Sequence, residues 1–301
     1  MSSSFLLHQP LTLRAAMRID RAPAWLWLAL QTAALWPAWR WMAARVTDGA
    51  DDPLGLLALA ALGVLLWSVR DQLRCAPRLP WLAAALAGTL AATLLRGPLA
   101  MVTPLVTCLL AVLAWACGLL AFLPDARRGA MRVHGGVLWP APRRAIAAAP
   151  VLTLAVLALP LLASLQFYAG YPLRVITAEA SRWLLGAWFA VQREGSSLLV
   201  NGQLVIVDAP CSGVQMAWAG YFTACAVALL KGRGNRAFAS RLPLVGLTVL
   251  AGNVLRNTIL VALEAGGHGA NEFVHQAIGL LILAAVCAGI AATIGRQSNR
   301  Y

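Results

Sequence analysis

The sequence is poor in charge and has almost no lysine. Only 12% of its 301 residues are charged, whereas soluble domains carry about 25%. Lys231 is the one lysine, so nearly all of the positive charge comes from arginine. Hydrophobic residues make up 60% of the chain. This composition excludes an ordinary soluble globular protein and predicts an all-α integral membrane protein.

Paired cysteines and acidic residues are also scarce. The six cysteines have no paired spacing, which argues against a disulfide framework or a zinc site, and we expect no metal and no cofactor. Lysine and arginine total 24 against 11 acidic residues, a net charge of +13. The arginines occur in short clusters between apolar runs instead of along one soluble face. We therefore expect contacts with membrane lipids and no nucleic-acid partner.

Long apolar runs recur along the whole chain. A spanning helix needs about 20 mostly apolar residues, which predicts about eight transmembrane helices. The predicted spans cover residues 23–44, 53–69, 79–95, 98–123, 145–168, 212–230, 242–263 and 274–294. No composition break indicates a second domain, so residues 1–301 are treated as one transmembrane domain.

Arginine and lysine counts in the loops orient these helices, because cytoplasmic loops carry the excess of positive charge. The residues assigned to the cytoplasmic side are Arg14, Arg18, Arg21, Arg70, Arg74, Arg78, Arg127, Arg128, Arg132, Arg143, Arg144, Lys231, Arg233, Arg236, Arg241, Arg296 and Arg300. The other arginines lie on or near the opposite side, together with Asp48, Asp51 and Asp52. Both termini are therefore predicted to be cytoplasmic.

Residues 169–210 are too long for a simple connection, and we expect a small extracytoplasmic cap there. Apolar residues at helical spacing predict an amphipathic helix that lies in the membrane interface; they are Ile176, Ala180, Trp183, Leu184, Ala187, Trp188 and Val191. The segments 197–200 and 203–207 flank Asn201-Gly202, which predicts a β-hairpin. The hairpin leads the chain to Cys211.

Cys211 differs from the other cysteines because it sits where a polar segment gives way to an apolar helix, in the run Asp208-Ala-Pro-Cys211-Ser212-Gly213. A helix N-terminus has unpaired N–H groups and a positive dipole, and both stabilise a thiolate. The simpler interpretation, a small apolar residue at a helix start, describes most free cysteines. Cys225, deeper in the same helix, is an example of that role.

Arg256 lies inside a predicted span, where an arginine costs about 2.5 to 3.5 kcal/mol on insertion scales. A lone arginine near a helix end could reach the interface or pair with Glu264 or Asp208. Here Asn253 and Asn257 accompany it, and the three polar groups predict a patch that faces a polar cavity between helices.

His275 opens the last predicted helix at a depth similar to that of Arg256 and Cys211. An interfacial histidine bonded to a carbonyl is the alternative. Asp208 or Glu272 could orient its ring, although sequence spacing does not decide between them. Cysteine, histidine and arginine together fit acyl transfer: a thiolate attacks a carbonyl, an imidazole moves protons, and a fixed positive charge stabilises the thiolate or the oxyanion. Ser212 and Gly213 would contribute backbone N–H groups.

Three ordered motifs, Cys211-Ser212-Gly213, Asn253-x-x-Arg256 and His275, each on a late helix, make the chain resemble the exosortase/archaeosortase family of membrane cysteine transpeptidases. The resemblance implies catalytic roles for Cys211, Arg256 and His275. It also implies a protease or transpeptidase of the bacterial cytoplasmic membrane, with an extracytoplasmic active site. The expected partners are exported proteins whose C-terminal tail has a short motif, a transmembrane helix and a basic cluster, and an acceptor associated with exopolysaccharide production. The residues Val214-Gln215-Met216 depart from the more basic or aromatic continuation of typical members.

Two other functions remain open from the sequence. One is a transporter or channel in which Arg256 and its asparagines bind an anion; against it, no inverted repeat is visible. The other is a non-catalytic assembly subunit whose cap binds a partner protein.

Overall fold

The computed structural model describes residues 23–49, 51–96, 102–127, 132–134, 137–139, 144–205, 213–267 and 271–296. The helices are α1 (Ala24–Ala34), α2 (Trp36–Thr47), α3 (Gly55–Val69), α4 (Leu79–Arg96), α5 (Pro104–Phe122), α6 (Ala148–Leu157), α7 (Leu162–Leu185), α8 (Val214–Lys231), α9 (Asn235–Ala239), α10 (Leu242–Ala265) and α11 (Glu272–Gly295). The strands are β1 (Ala126–Arg127), β2 (Arg132–His134), β3 (Val137–Trp139), β4 (Arg144–Ala145), β5 (Val191–Glu194), β6 (Ser197–Val200) and β7 (Gln203–Val205).

The helices pack in two groups that share α6. In the first group, α5 contacts α1, α2, α4 and α6, and small residues such as Ala111, Ala116 and Gly118 let its neighbours approach closely. In the second group, α10 contacts α7, α8, α11 and β7. Helix α6 contacts α3, α5 and α8 and so joins the two groups.

Helices lie at all the predicted spans, but the structure does not confirm a count of eight. Within the described residues, five helices are long and apolar enough to cross a membrane: Gly55–Gln72, Leu79–Arg96, Pro104–Phe122, Asn235–Ala265 and Glu272–Gly295. The first predicted span divides at Leu35 into α1 and α2, because Pro37 follows and cannot donate a helical hydrogen bond. Helix α8 is long enough, but polar residues such as Gln215 and Lys231 reduce its hydropathy.

The predicted span over 145–168 is interrupted in the structure. Helix α6 ends at Leu157, and the chain bends by 93° before α7 begins at Leu162. Pro160 lies in the bend; it lacks an N–H group and disfavours helical geometry at the residue before it. Together α6 and α7 are either a sixth candidate span that is broken at the bend or a re-entrant loop.

The predicted interfacial helix is also shorter at its C-terminal end than expected. Helix α7 ends at Leu185, with Gly186 as its C-cap, so Trp188 lies beyond it and Val191 opens β5. Arg193 of β5 contacts this helix, and its guanidinium donates to the carboxylate of Glu179 of α7 over 2.8 Å.

The predicted hairpin is present as β6 and β7, and β5 adds a third antiparallel strand. Asn201 and Gly202 both have positive φ angles, 49° and 84°, which a two-residue type I′ turn requires. The sheet packs on α7 and α10 through a second apolar cluster made of Ala178, Leu185, Leu198, Val200 and Val261. Its extracytoplasmic position stays a prediction from the loop charges.

The described parts of the basic loops assigned to the cytoplasm are linked to one another and to neighbouring helix ends by hydrogen bonds and ion pairs. Arg74 and Arg78 both bind Asp125, over 3.0 and 2.6 Å. Arg144 donates to the carbonyl of Leu230, and Arg241 donates to that of Ile294. Two short strand pairs, β1 with β4 and β2 with β3, lie in the loop between α5 and α6, and the sequence did not predict them.

The loop between α2 and α3 holds the starts of two later helices. The Asp51 carboxylate has no exposed surface; it binds Arg45 over 2.9 Å and accepts a hydrogen bond from Ala163 N at the start of α7 over 2.7 Å. Asp52 accepts from the side chain of Gln215 in the first turn of α8 over 2.9 Å. This loop therefore ties the two helix groups together near the predicted site.

Replacing Asp51 by Asn should destabilise the fold. The variant loses the charge that binds Arg45 and caps α7, and a hydrogen bond to a charged group contributes about 1.5 to 3 kcal/mol. We expect a lower thermal unfolding midpoint in detergent for D51N. The matched control is D48N, at an exposed position of the same loop, which should unfold like the wild type; equal midpoints for both variants would contradict the prediction.

Candidate functional site

Arg256 and His275 are in contact, although they come from different helices. Nη2 of Arg256 on α10 lies 3.3 Å from Nε2 of His275 in the first turn of α11, and both residues are partly buried. Gly279, one turn after His275, gives the guanidinium space: a Cβ there would lie 3.3 Å from Nε of Arg256. The guanidinium therefore packs against the backbone of α11 and reaches the imidazole.

This contact fixes the roles of the two ring nitrogens of His275. A guanidinium has only donors, so Nε2 accepts the hydrogen bond. The proton of the neutral ring then belongs on Nδ1. Arg256 thereby occupies the nitrogen at which the ring would otherwise take up a proton.

The start of α11 is fixed by its own cap. Asn271 accepts a hydrogen bond from Val274 N over 2.9 Å, which is the usual N-cap interaction. Glu272 binds the side chain of Gln276 over 2.8 Å and makes no hydrogen bond to His275. Of the two carboxylates considered for orienting His275, Glu272 therefore does not do so here. Asp208 lies outside the described residues.

The start of α8 packs against α10 one turn before Arg256. Gly213 is the N-cap of α8, with a φ of +81°, and its carbonyl accepts the first helical hydrogen bond from Ala217 over 2.8 Å. A Cβ on Gly213 would lie 2.8 Å from Cγ of Asn253. Glycine is thus required both by the backbone angle and by the close approach of the Asn253 side chain. Cys211 and Ser212, which precede it, lie outside the described residues.

The polar patch of α10 is closed by side chains of α7, so the predicted polar cavity is filled at this face. Asn253 and Asn257 are only 2% and 3% exposed. Asn253 Nδ2 donates to Thr177 Oγ1 over 3.1 Å, and Asn257 Nδ2 donates to Ser181 Oγ over 3.0 Å. Ser181 Oγ also lies 3.1 Å from Oγ1 of Thr258.

Thr177 and Ser181 were missed by the sequence analysis. Both have no exposed surface and both lie on the face of α7 that meets α10. Their spacing of four residues matches that of Asn253 and Asn257, which places each pair on one helix face. The shared spacing could have indicated that the two pairs interact, but nothing in the sequence showed that α7 and α10 are neighbours.

Replacing Gly213 by Ala should cost more stability than replacing Gly202 by Ala. Both positions have positive φ angles, which cost an ordinary residue about 1 to 2 kcal/mol. Nothing lies within 4 Å of a Cβ on Gly202, whereas a Cβ on Gly213 would overlap Asn253 and add about 1 to 3 kcal/mol of overpacking. Thermal midpoints in detergent provide the comparison. A G213A variant as stable as G202A would show that Asn253 does not hold the start of α8.

Comparison with known proteins identifies the family of the chain. The sequence profile described as transmembrane exosortase matches residues 41–292, a range that includes Gly213, Asn253, Arg256 and His275. Searches of curated proteins and of solved structures find no significant match. Because the profile covers well over half of the sequence, and because several helices are apolar enough to span a membrane, the chain is a membrane protein that belongs to the transmembrane exosortase family.

Proposed function

We propose that this chain is a membrane-embedded cysteine protease or transpeptidase that cleaves C-terminal sorting signals of exported proteins. Cys211 is the nucleophile, and Arg256 and His275 are the other catalytic residues. The substrate tail has a short motif, a transmembrane helix and a basic cluster. Cleavage takes place at the outer face of the bacterial cytoplasmic membrane and passes through a thioester, and no metal or cofactor takes part.

The observation that supports this proposal most strongly is the contact of Arg256 with His275 beside the start of α8. Asn253 touches Gly213, and Arg256 follows Asn253 by three residues on the same helix. The chain from Gly213 back to Cys211 is two residues long, and two residues span at most about 7 Å. This short separation along the chain supports the assignment of Cys211 as the nucleophile that works with Arg256 and His275.

The contact also orders the proton transfers. While Arg256 donates to Nε2, the ring cannot accept a proton there. When a substrate carbonyl enters, Arg256 turns toward the developing oxyanion, and Nε2 becomes free to take the proton of the Cys211 thiol. The N–H groups of Ser212 and Gly213 at the start of α8 are further donors to the oxyanion.

The thiolate sulfur then bonds to the carbonyl carbon, and the scissile C–N bond breaks. The departing nitrogen takes the proton from Nε2 of His275, which leaves a thioester on Cys211. In the second stage, water or an acceptor amine gives a proton to Nε2 as it attacks the thioester, and the C–S bond breaks. The sulfur leaves as a thiolate that the positive charge of Arg256 stabilises, and it then takes the proton back from Nε2, which restores the thiol and the neutral ring. Asp208, three residues before Cys211, is the remaining candidate for orienting the ring.

Replacing Cys211 by Ala should abolish cleavage of a reporter fused to such a tail, because the thioester cannot form. The reporter would carry the tail of an exported protein encoded in the same genome, and its size on a gel would report processing. The matched control is Cys225→Ala: Cys225 is fully buried in the same helix, and that variant should stay active. Wild-type processing by C211A would disprove the proposal.

Thiol labelling separates the enzyme from a transporter with an anion site at Arg256. A membrane-impermeant maleimide added to intact spheroplasts at pH 7 should label wild-type protein, and C211A should lose most of that label, because the proposal makes Cys211 the accessible cysteine of the outer face. Labelling that persists unchanged in C211A would contradict a reactive outer thiol. In that case anion-dependent protection of Arg256 would be the next measurement.

A further inference from the structure

We propose that Thr177 and Ser181 of α7 are positioning residues that set the rotation of α10 and thereby aim Arg256 at the reacting groups. Because this role concerns Arg256 as a catalytic group, it rests on the proposed function. Neither residue belongs to the three motifs that identify the family, and neither contacts His275.

Two pairs of hydrogen-bonded side chains, called rungs below, join α7 to α10, and they lie one helical turn apart. Thr177 pairs with Asn253 in the first rung, and Ser181 pairs with Asn257 in the second. All four side chains are at most 3% exposed, so water does not compete for these bonds. Two rungs on one face prevent α10 from turning about its axis, which a single bond would not do.

Arg256 lies between the two rungs in sequence but points in another direction. At 100° per residue, the asparagine pair faces α7, and Arg256 is offset by roughly 80° from the middle of that face, toward α11. The position of its guanidinium therefore depends on the rotation of α10. A rotation of about 20° would move a group about 5 Å from the helix axis by roughly 2 Å. A displacement of that size would move the guanidinium away from its place beside His275, from which it turns to the oxyanion.

Helix α7 also packs against the three-stranded sheet that comes before Cys211 in the sequence. Ala178 and Leu185 of α7 pack against Leu198 and Val200 of β6, and Glu179 binds Arg193 of β5. In the sequence, β7 ends six residues before Cys211. Helix α7 therefore packs both against the sheet that precedes Cys211 in the chain and against the helix that carries Arg256.

The test uses the full-length protein in native membranes and the reporter with the sorting-signal tail. Thr177→Val keeps the shape of the side chain but removes the hydroxyl that Asn253 needs, and Ser181→Ala removes the acceptor for Asn257. We expect each variant to process the reporter about 10- to 100-fold more slowly, because small displacements of a catalytic group have effects of that size. Thr177→Ser keeps the hydroxyl, so this variant should process the reporter at a rate within about threefold of the wild-type rate.

The control is Thr248→Val, at a half-buried position of α10, where the hydroxyl donates to Leu244 O of its own helix. It should process the reporter at the wild-type rate. A double-mutant cycle with Arg256→Lys separates positioning from general stability: if Thr177 acts through Arg256, then T177V should slow the R256K protein by less than about threefold. Thermal midpoints in detergent correct each rate for the folded fraction.

Equal effects of T177V in the wild-type and R256K backgrounds would overturn the positioning role, and so would failure of T177S to restore activity. A rate loss explained fully by a smaller folded fraction would do the same. The proposed function has a separate test, since it fails only if C211A still processes the reporter.

Discussion

The rest of the structure depends on one constraint: the polar side chains of the apolar helix α10 need hydrogen-bond partners inside the protein. Helix α10 carries Asn253, Arg256 and Asn257 within a segment apolar enough to span a membrane. Each polar group must find a partner in the protein, because lipid offers none and an unmade buried hydrogen bond is costly. The partners come from α7 on one side and from α11 on the other, and together they determine which helices surround α10.

Glycines make these contacts possible at the two places where a side chain would intervene. Gly213 lets the Asn253 amide approach the start of α8, and Gly279 lets the guanidinium of Arg256 lie against α11. In the membrane, close approach of backbones at small residues is a main source of helix association. The described part of the site is thus built by the same contacts that hold α8, α10 and α11 together.

Some of this arrangement could be predicted and some could not. The Asn201-Gly202 turn was predictable because only a few dipeptides adopt two positive φ angles. The bend near Pro160 was missed because apolar composition continues through it, and composition does not register a change of direction. The strand β5 was missed because Val191 also fits the helical period of α7.

By itself, the sequence determined the class of protein and predicted the chemical groups of the candidate site. Low charge, apolar runs and arginine clusters establish a membrane protein, and three motifs predict a site made of a cysteine, an arginine and a histidine. Only the tertiary structure decided which helix faces meet: that Arg256 donates to Nε2 of His275, and that Thr177 and Ser181 hold the asparagines of α10. The physical reason is that residue spacing defines a face of each helix, whereas the neighbour of that face depends on the bend between α6 and α7 and on packing across the whole bundle.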